Sequence, residues 1–465
     1  MYFKQITTPG LGCYSYAIGC PAAGVMAVFD PRRDIGVYLN IAEENGMKIT
    51  HIFDTHVHAD HVSGAQELRA ATGADIYIHE SAPVKYEAEK LRDGDGFKFG
   101  NAFIRTLHTP GHTPDSVSFL VHDLARSAEP EMILTGDLLF VGDIGRPDLP
   151  GEEILEEQVR NLYDSLYETL KPLPDHLEVF PGHGQGSLCG QGMSGKESST
   201  LGYERLSNPM LKYADFTDFR EAVLSRHTMR PQSFSNIIAT NINGAVLISK
   251  CESKEHLLSA KYELSAGQTE EAGKNGAVLL DLRDAFSYGA AHIPGSINVD
   301  FSDGAKLNWV GAAVPAGKPI VLILSKDSRF GEICSELYRI GYDTIKGFLK
   351  GGIRAWVNSG RETGSIKYFS APELRMRLTV ANPPGIIDVR NPEEFNTGKI
   401  ENAVNYTFDS IVSRSPYPIP PDKESVIVCQ SGFRAGIAAS MLKAREYSNI
   451  SVLSGGMGAW LAYKE

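Results

Sequence analysis

Basic residues are in deficit in this chain, which has 45 Lys and Arg against 57 Asp and Glu and a net charge of −12. An acidic surface of this kind argues against binding to nucleic acid or to anionic lipid through a basic face. No apolar stretch approaches the roughly 20 residues that a membrane-spanning helix needs. The opening MYFKQITTPG also lacks the apolar segment of a secretory signal. These absences predict a cytoplasmic protein that binds neither nucleic acid nor a membrane.

Cysteine is sparse as well, and its six residues lack the spacing of a disulfide framework. A chain of 465 residues, 42% of them hydrophobic, has enough apolar material for several cores and does not depend on disulfides. We therefore expect several domains and reduced thiols.

The first part of the chain alternates short β-branched runs with turns and amphipathic stretches. Runs such as MAVFD (26–30) and EMILTGD (131–137) predict strands, and HVSGAQELRAATG (61–73) has helical spacing. This alternation predicts a layered α/β domain over residues 1–245. Within it, residues 184–245 are expected to form a Gly- and Ser-rich loop, one helix at about 209–226, and a connector.

The second part of the chain contains an internal repeat. Segment 277–299 matches 385–406, segment 318–342 matches 424–447, and KGGIRAW (350–356) matches SGGMGAW (454–460). Each unit reads strand, helix, strand, helix, with apolar runs that suit buried parallel strands. The repeat predicts two α/β domains, at residues 246–362 and 363–465.

Potential metal ligands follow one another along the first domain, and none of them is a cysteine. THVHADH (55–61) follows an apolar strand, where three imidazoles and a carboxylate would be costly to bury unpaired. Nitrogen and oxygen ligands without thiolates indicate an imidazole–carboxylate site rather than a structural zinc site. Residue types alone leave open whether it holds one metal or two. The candidates are His56, His58, Asp60, His61, His112, Asp137 and His183.

These motifs, THxHxDH, PGHT, GD and GH, resemble in their order those of the metallo-β-lactamase superfamily. THVHADH followed by SG, and GDLLFVGDIGRPDL (136–149), are similar to the persulfide dioxygenases of that superfamily. The resemblance implies an αββα fold and one Fe(2+) per chain, held by His56, His112 and Asp137. It implies a supporting role for His58, Asp60, His61 and His183. The alternative is a site with two Zn(2+) per chain in which these four residues are also ligands.

Two further residues near these motifs are candidates for substrate chemistry. Arg146 either binds an anionic substrate or forms a structural ion pair with Asp148. Cys189 lies in the Gly-rich loop shortly after His183, and we interpret it as a possible catalytic thiol over the metal pocket. A buried, inert thiol is the alternative.

The last domain contains CQSGFR (429–434) between the apolar strand SVIV and the helix AGIAASML. Loop N–H groups and a helix N-terminus stabilise a thiolate there and suit a bound anion such as sulfite. CxxGxR at this junction resembles the active loop of rhodaneses. The resemblance implies that Cys429 carries a sulfane sulfur and that Arg434 supplies a fixed charge. It also implies that substrate is bound by Gln430, Ser431, Gly432 and Phe433.

The first repeat unit departs from this pattern. Its loop reads LSKDSR (324–329), with Leu324 in place of the cysteine and Asp327 in place of the glycine. Cys334 lies too far into the next helix to replace the nucleophile. This unit therefore resembles a catalytically silent rhodanese, which we interpret as a spacer, a dimerisation surface or a docking platform.

Together these resemblances predict a persulfide dioxygenase–rhodanese fusion of sulfide detoxification. Such a protein oxidises a low-molecular-weight thiol persulfide with O₂ to thiol and sulfite, and its rhodanese interconverts persulfide plus sulfite with thiosulfate. Two alternatives are a hydroxyacylglutathione-type thioester hydrolase with two zinc ions, and a sulfur-relay or sensing protein in which only Cys429 acts. We also expect a homo-oligomer, either a dimer or a tetramer.

Overall fold

The structure is a computed structural model that describes residues 1–226, 230–248, 260–304, 306–420 and 423–463. The chain divides into two compact units. The first comprises Met1–Lys250 with Tyr338–Gly341, and the second comprises Cys251–Leu337 with Tyr342–Glu465. Among the described residues, no helix is both long enough and apolar enough to cross a membrane.

The first unit is built on two six-stranded sheets. The first sheet has the order β1-β2-β3-β4-β5-β6. Its strands are β1 (Tyr2–Thr8), β2 (Cys13–Cys20), β3 (Val25–Phe29), β4 (Lys48–Phe53), β5 (Asp75–His79) and β6 (Glu89–Leu91). The second sheet has the order β14-β13-β10-β9-β8-β7, and β11 and β12 pair separately. These strands are β7 (Gly96–Phe99), β8 (Ala102–His108), β9 (Val117–Asp123), β10 (Met132–Gly136), β11 (Leu139–Phe140), β12 (Asp143–Ile144), β13 (Glu178–Pro181) and β14 (Ser199–Thr200).

Apolar side chains between and outside the sheets produce four layers. Phe29, Phe53 and Phe119 lie in the core that the two sheets share. Leu68 belongs to the helical core outside the first sheet, and Phe219 to the one outside the second. This arrangement confirms the αββα fold. The helices of this unit are α1 (Gly36–Glu44), α2 (Ala65–Thr72), α3 (Leu155–Asp164), α4 (Leu201–Ser207), α5 (Phe216–Leu224) and α6 (Ser233–Asn243).

The expected helix at about 209–226 is wrong at its start. Pro209–Leu211 forms a short 3₁₀ turn instead, and α5 begins only at Phe216. The reason is the Asp215 carboxylate, which accepts the backbone N–H of Asp218 at 3.1 Å and caps the helix there. Helices α4 and α6 flank this segment and were not predicted.

The second unit contains two five-stranded sheets whose strand pairs are all parallel. The first has the order β15-β19-β18-β16-β17. Its elements are β15 (Glu263–Leu264), α7 (Ala266–Lys274), β16 (Val278–Asp281), α8 (Ala285–Ala290), β17 (Ile297–Asn298), α9 (Leu307–Ala313), β18 (Ile320–Ile323), α10 (Phe330–Arg339), β19 (Ile345–Leu349) and α11 (Gly352–Asn358).

The second of these sheets repeats the same topology in the order β20-β24-β23-β21-β22. The equal strand order explains the internal repeat of the sequence, because each matched segment occupies the same place in its own sheet. Its elements are β20 (Lys367–Phe369), α12 (Ala371–Leu378), β21 (Gly385–Asp388), α13 (Pro392–Asn396), β22 (Val404–Asn405), α14 (Phe408–Val412), β23 (Ser425–Val428), α15 (Phe433–Lys443), β24 (Ile450–Leu453) and α16 (Gly456–Ala462).

Candidate functional site

Three of the predicted ligands converge at the ends of strands in the first unit. His56 follows β4, His112 lies between β8 and β9, and Asp137 follows β10. Their ligand atoms lie within 4.8 Å of one another, and all three residues are buried. His112 Nε2 is 3.3 Å from Asp137 Oδ2. In the described part of the chain neither of these two atoms has a hydrogen-bond partner. Buried polar atoms are normally satisfied, so this pair fits a bound cation.

Hydrogen bonds on the far side of each imidazole leave its Nε2 lone pair for the metal. His112 Nδ1 donates to the backbone carbonyl of Arg146 at 2.7 Å. Thr55 Oγ1 donates to Asp30 Oδ2 at 3.0 Å and therefore accepts from His56 Nδ1 at 2.9 Å. Such outer contacts fix the ring and its tautomer in metal sites.

The pKa shifts of His56, His112 and Asp137, which we call the trio, are those expected of metal ligands. Burial, with the charge of neighbouring His58, holds the pKa of His56 well below its usual value. Burial also lowers the pKa of His112. For Asp137 burial acts in the opposite direction, but His183 and His112 outweigh it and lower the pKa of the carboxyl. Neutral imidazoles and an ionised carboxylate are the states that bind a metal.

His58 belongs to a different cluster, although it lies only two residues from His56. Its Nε2 is 3.0 Å from Asp30 Oδ1 and 4.0 Å from Asp54 Oδ1. The ligand atoms of Asp30, Asp54 and His58 lie within 4.8 Å of one another, and those of His58, Asp60 and His61 do so as well. His58 is therefore next to the trio, with its Nε2 on carboxylates and its Nδ1 without a hydrogen-bond partner among the described residues.

The remaining predicted residues form a chain of hydrogen bonds that ends on Asp137. His61 Nδ1 lies 3.1 Å from Asp60 Oδ1, and Asp60 Oδ2 lies 2.9 Å from His183 Nε2. His183 Nδ1 lies 2.6 Å from Asp137 Oδ1. Both nitrogens of His183 thus face carboxylates. Cys13 joins this chain, since its thiol donates to Asp60 Oδ2 at 2.8 Å.

Close backbone approach at the trio depends on two glycines. A Cβ at Gly145 would lie 1.9 Å from the carbonyl oxygen of Asp137, and a Cβ at Gly182 would lie 2.5 Å from Asp137 Oδ1. Neither contact is sterically possible, so both positions require glycine.

Sequence reasoning missed these two glycines, and it also missed Cys13 and Asp30. Asp30 has a positive φ of 47° and accepts from Thr55 and His58. An aspartate directly before Pro31, at the end of an apolar strand, was the available signal.

Arg146 is engaged by a carboxylate, as one of its two interpretations expected. Its Nε and Nη2 each lie 2.6 Å from the oxygens of Asp148, and its Nη1 donates to the carbonyl of Leu188 at 3.3 Å. The ion pair holds the loop whose backbone orients His112. Contact between Arg146 and a substrate stays a prediction.

Cys189 lies at the metal centre but is buried there. Its sulfur groups with Asp137 and His183 within 4.8 Å, and the residue is 1% exposed. Burial raises the pKa of its thiol to about 12. A protonated thiol is a weak nucleophile. The location agrees with the expectation that the loop brings Cys189 to this pocket, whereas its catalytic role stays a prediction.

The Cys429 loop forms a second candidate site, in the second unit. Cys429 follows β23, and its sulfur accepts the backbone N–H groups of Gly432 at 3.1 Å and Ala435 at 3.3 Å. Gly432 has a φ of 94°, which favours glycine. Gln430 and Ser431 are exposed, whereas Gly432 and Phe433 are half-buried. The loop thus has the cradle of N–H groups that a thiolate or a bound anion needs.

The guanidinium of Arg434, beside this cradle, is paired with a carboxylate. Its Nη1 and Nη2 donate to the two carboxylate oxygens of Glu394 at 2.8 and 2.5 Å. Burial by itself lowers the pKa of Arg434, but Glu394 more than offsets it. Glu394 is a further residue that sequence reasoning missed, although it lies in the EEF segment of the repeat.

The corresponding loop of the first repeat has no nucleophile. Leu324 is buried at the end of β18. Asp327 Oδ2 accepts the backbone N–H of Gly351 at 3.0 Å, so this N–H group already has a partner within the protein. Cys334 is fully buried in α10, and burial raises the pKa of its thiol.

The fold and the sites define a metal-binding αββα protein joined to two parallel α/β domains, and comparisons with known proteins agree. The model of the metallo-beta-lactamase superfamily matches residues 23–183, and that of the rhodanese-like domain matches residues 265–359 and 370–463. A solved metallo-beta-lactamase from Staphylococcus aureus is 32% identical. The alignment covers 75% of this chain and 98% of that one, with a TM-score of 0.66. The chain belongs to the metallo-β-lactamase superfamily and carries two rhodanese-like domains.

Relatives of the first unit differ in their activity. The mitochondrial persulfide dioxygenase ETHE1 of Mus musculus is 26% identical over 52% of this chain and 88% of its own length. A hydroxyacylglutathione hydrolase of Rhodospirillum rubrum is 34% identical over 37% of this chain and 61% of its own length. Family membership therefore defines the fold and leaves the reaction to the site.

Proposed function

We propose that the protein oxidises low-molecular-weight persulfides with O₂ at a single Fe(2+), held by His56, His112 and Asp137. We further propose that Cys429 transfers sulfane sulfur between persulfide, sulfite and thiosulfate. The observation that carries the first part is the convergence of these three side chains, whose ligand atoms lie within 4.8 Å of one another. Two of these atoms, His112 Nε2 and Asp137 Oδ2, are buried without a hydrogen-bond partner among the described residues. A two-metal site would also use a nitrogen of His58 and one of His183. In this structure carboxylates face His58 Nε2 and both nitrogens of His183, whereas His58 Nδ1 has no hydrogen-bond partner among the described residues, so metal analysis has to count the ions.

His56, His112 and Asp137 would hold the Fe(2+), which would supply the redox chemistry of the reaction with O₂. The overall reaction is RSSH + O₂ + H₂O → RSH + HSO₃⁻ + H⁺, so a proton leaves the site in each turnover. The hydrogen-bonded chain His183–Asp60–His61 begins at Asp137, and its titratable groups can take up that proton. Gly145 and Gly182 keep the backbone tight against Asp137 and so hold the carboxylate in place.

The chemistry at Cys429 requires a thiolate. The thiolate attacks the outer sulfur of a persulfide, the S–S bond breaks, and the carrier leaves as a thiol after taking up a proton. Sulfite then attacks the outer sulfur of the Cys429 persulfide, forming thiosulfate and regenerating the thiolate. The N–H groups of Gly432 and Ala435 stabilise the sulfur anion in both steps. Two activities in one chain raise the effective concentration of a shared intermediate.

The test of this proposal is oxygen uptake by the iron-loaded protein supplied with glutathione persulfide or coenzyme A persulfide, with sulfite and thiosulfate both quantified. Wild type is expected to consume O₂ and to form thiosulfate, whereas Cys429→Ser stops at sulfite. Absence of O₂ uptake with both persulfides overturns the dioxygenase assignment. Thiosulfate formation by Cys429→Ser overturns the transfer step.

A thioester hydrolase with two zinc ions is the competing function, and the hydroxyacylglutathione hydrolase of R. rubrum is the observation that favours it. Metal analysis separates the two. We expect about one iron per chain, and His58→Gln is expected to retain it while His112→Gln loses it. Two zinc ions per chain, lost in both variants, together with cleavage of S-lactoylglutathione, would establish the hydrolase.

A further inference from the structure

Helix α15, which follows the Cys429 loop, is buried on all sides. Every residue from Ala435 to Leu442 is buried, although the helix packs on its own sheet along only one face. The other face meets the silent rhodanese domain. The backbone N–H of Asn298, in β17 of that domain, donates to Ser440 Oγ at 3.0 Å. Helix α15, which begins at the active loop, therefore packs against both rhodanese-like domains.

The silent domain also reaches the loop itself through Trp309 in α9. The Trp309 ring centroid lies 5.7 Å from that of Phe433 at an interplanar angle of 78°. It lies 5.3 Å from that of Phe408 at 88°. Both are edge-to-face contacts, the favourable geometry for aromatic pairs. Phe408 is buried, so the Trp309 ring bridges a fixed core residue and the loop.

Phe433 occupies the position in the loop where such a contact matters most. It lies between Gly432 and Ala435, whose N–H groups point at the sulfur of Cys429. The backbone from 432 to 435 sets the direction of both donors. Fixing the Phe433 side chain therefore restricts that backbone, and a restricted cradle stabilises a sulfur anion without reorganisation.

We propose that Trp309 is a positioning residue of the sulfurtransferase site, through which the silent domain holds the Cys429 cradle in shape. This inference rests on the proposed transfer through Cys429. It assigns the silent domain a part in the site, in place of a spacer role. Within the described residues, the N–H groups of Gly432 and Ala435 donate to the sulfur, and Trp309 acts on them through Phe433.

The experiment uses the full-length protein and three variants. Trp309→Ala removes the ring and Trp309→Phe keeps an aromatic edge. Phe286→Ala is the matched control. Phe286 belongs to the silent domain, and its ring lies 5.0 Å from that of Tyr368, which is in β20 and outside the Cys429 loop. The first readout is amide hydrogen exchange of the peptide 429–435 beside that of β23. The second is sulfite release in the first turnover with thiosulfate, in which the Cys429 thiolate takes the outer sulfur and sulfite leaves.

Trp309→Ala is expected to accelerate exchange at residues 432–435 and to slow first-turnover sulfite release, each about tenfold, the scale of two lost aromatic contacts. The KM for thiosulfate is expected to change less than kcat, since Trp309 does not touch the anion. Trp309→Phe restores both readouts in large part, and Phe286→Ala leaves both at the wild-type value.

Two results overturn the inference. One is a Trp309→Ala protein with wild-type exchange and wild-type sulfite release. The other is faster exchange spread equally over β23 and the loop, which shows a general loss of stability. If wild type itself releases no sulfite, the proposed transfer through Cys429 fails, and that failure is distinct from either result.

Discussion

The corresponding loops of the two rhodanese-like domains have the same scaffold but different side chains. In both, a buried parallel strand leads through a short loop into a helix, and an arginine stands six positions after the end of the strand. The helix begins at Phe433 in the active domain, before its arginine, and at Phe330 in the silent domain, after its arginine. One loop presents a cysteine sulfur to two backbone N–H groups. The other has a leucine there, and a carboxylate of its own chain holds a nearby N–H. The difference teaches that one scaffold accommodates both loops, so the sulfur transfer that we propose for Cys429 is expected to depend on side chains of the loop and not on the scaffold.

The largest expected effect separates the two loops by their cysteines. Cys429→Ser is expected to reduce transfer of sulfur from thiosulfate to cyanide to background, because serine cannot form the persulfide. Cys334→Ser, the control in the silent domain, is expected to retain full activity because that thiol is buried in α10. Oxygen uptake with a persulfide should be equal in both variants. Residual transfer in Cys429→Ser would place the nucleophile elsewhere.

The second prediction concerns the feature that the two domains share. Arg283 Nη2 lies 2.6 Å from Asp281 Oδ2, and Arg390 Nη2 lies 2.7 Å from Asp388 Oδ2, with all four residues buried. Asp281→Asn and Asp388→Asn each leave a buried guanidinium unpaired, at an expected cost of about 3–5 kcal/mol in the free energy of unfolding.

Chemical denaturation of the two variants measures this cost. Glu332→Gln is the control, because the pair of Arg329 with Glu332 is exposed and is worth only about 0.2–1 kcal/mol. If Asp388→Asn lowers the free energy of unfolding and Asp281→Asn does not, the buried ion pair stabilises the active domain alone. That result would contradict the equal role that we assign to the pair in the two domains.

The third prediction converts the silent loop. In a Cys429→Ser background, Leu324→Cys alone is expected to take up no sulfur from thiosulfate, because Asp327 keeps a carboxylate beside the loop, on the N–H of Gly351, where it repels an anion. Leu324→Cys with Asp327→Gly creates a CxxGxR loop and is expected to gain one sulfur atom on the peptide that contains position 324. The rate of sulfur uptake at position 324 should stay at least about tenfold below that of Cys429, because small errors in the position of a nucleophile slow its reaction. Mass spectrometry of intact peptides measures the gain, and uptake by the single variant would contradict the role given to Asp327.

The smallest expected effect concerns Arg434, the arginine of the active loop. Glu394 neutralises Arg434, so Glu394→Gln leaves the guanidinium charge unbalanced beside the anion site. The KM for thiosulfate is expected to fall by about two- to fivefold, with a steeper dependence on salt. Glu393→Gln removes the same charge from the same helix and is expected to have no effect on KM. A rise in KM for Glu394→Gln would show that the pair is needed to position Arg434.

Much of the architecture could be predicted from the sequence because it depends on local pattern. Apolar runs at strand spacing predicted the layered first domain, and the repeat predicted two equivalent parallel sheets. The spacing of histidines and carboxylates predicted which residues stand at strand ends. The helix at 209–226 failed because one short side chain, Asp215, decides where α5 begins.

The roles within the metal site could not be predicted in the same way. His56 and His58 are equivalent as residue types, and the fold places His58 Nε2 against Asp30 at a neighbouring strand end. Arg146 was open between two roles until its distance to Asp148 was known.

The sequence by itself determined the chemical inventory of this protein: a set of imidazoles and carboxylates, one cysteine in a CxxGxR loop, and a second loop without a cysteine. The tertiary structure decided which of these groups meet. It placed Asp30 against His58, Gly182 against Asp137, and Trp309 against Phe433. The physical reason is that residue types and periodicity are local, whereas these contacts join positions far apart in the chain and depend on distances of a few ångströms.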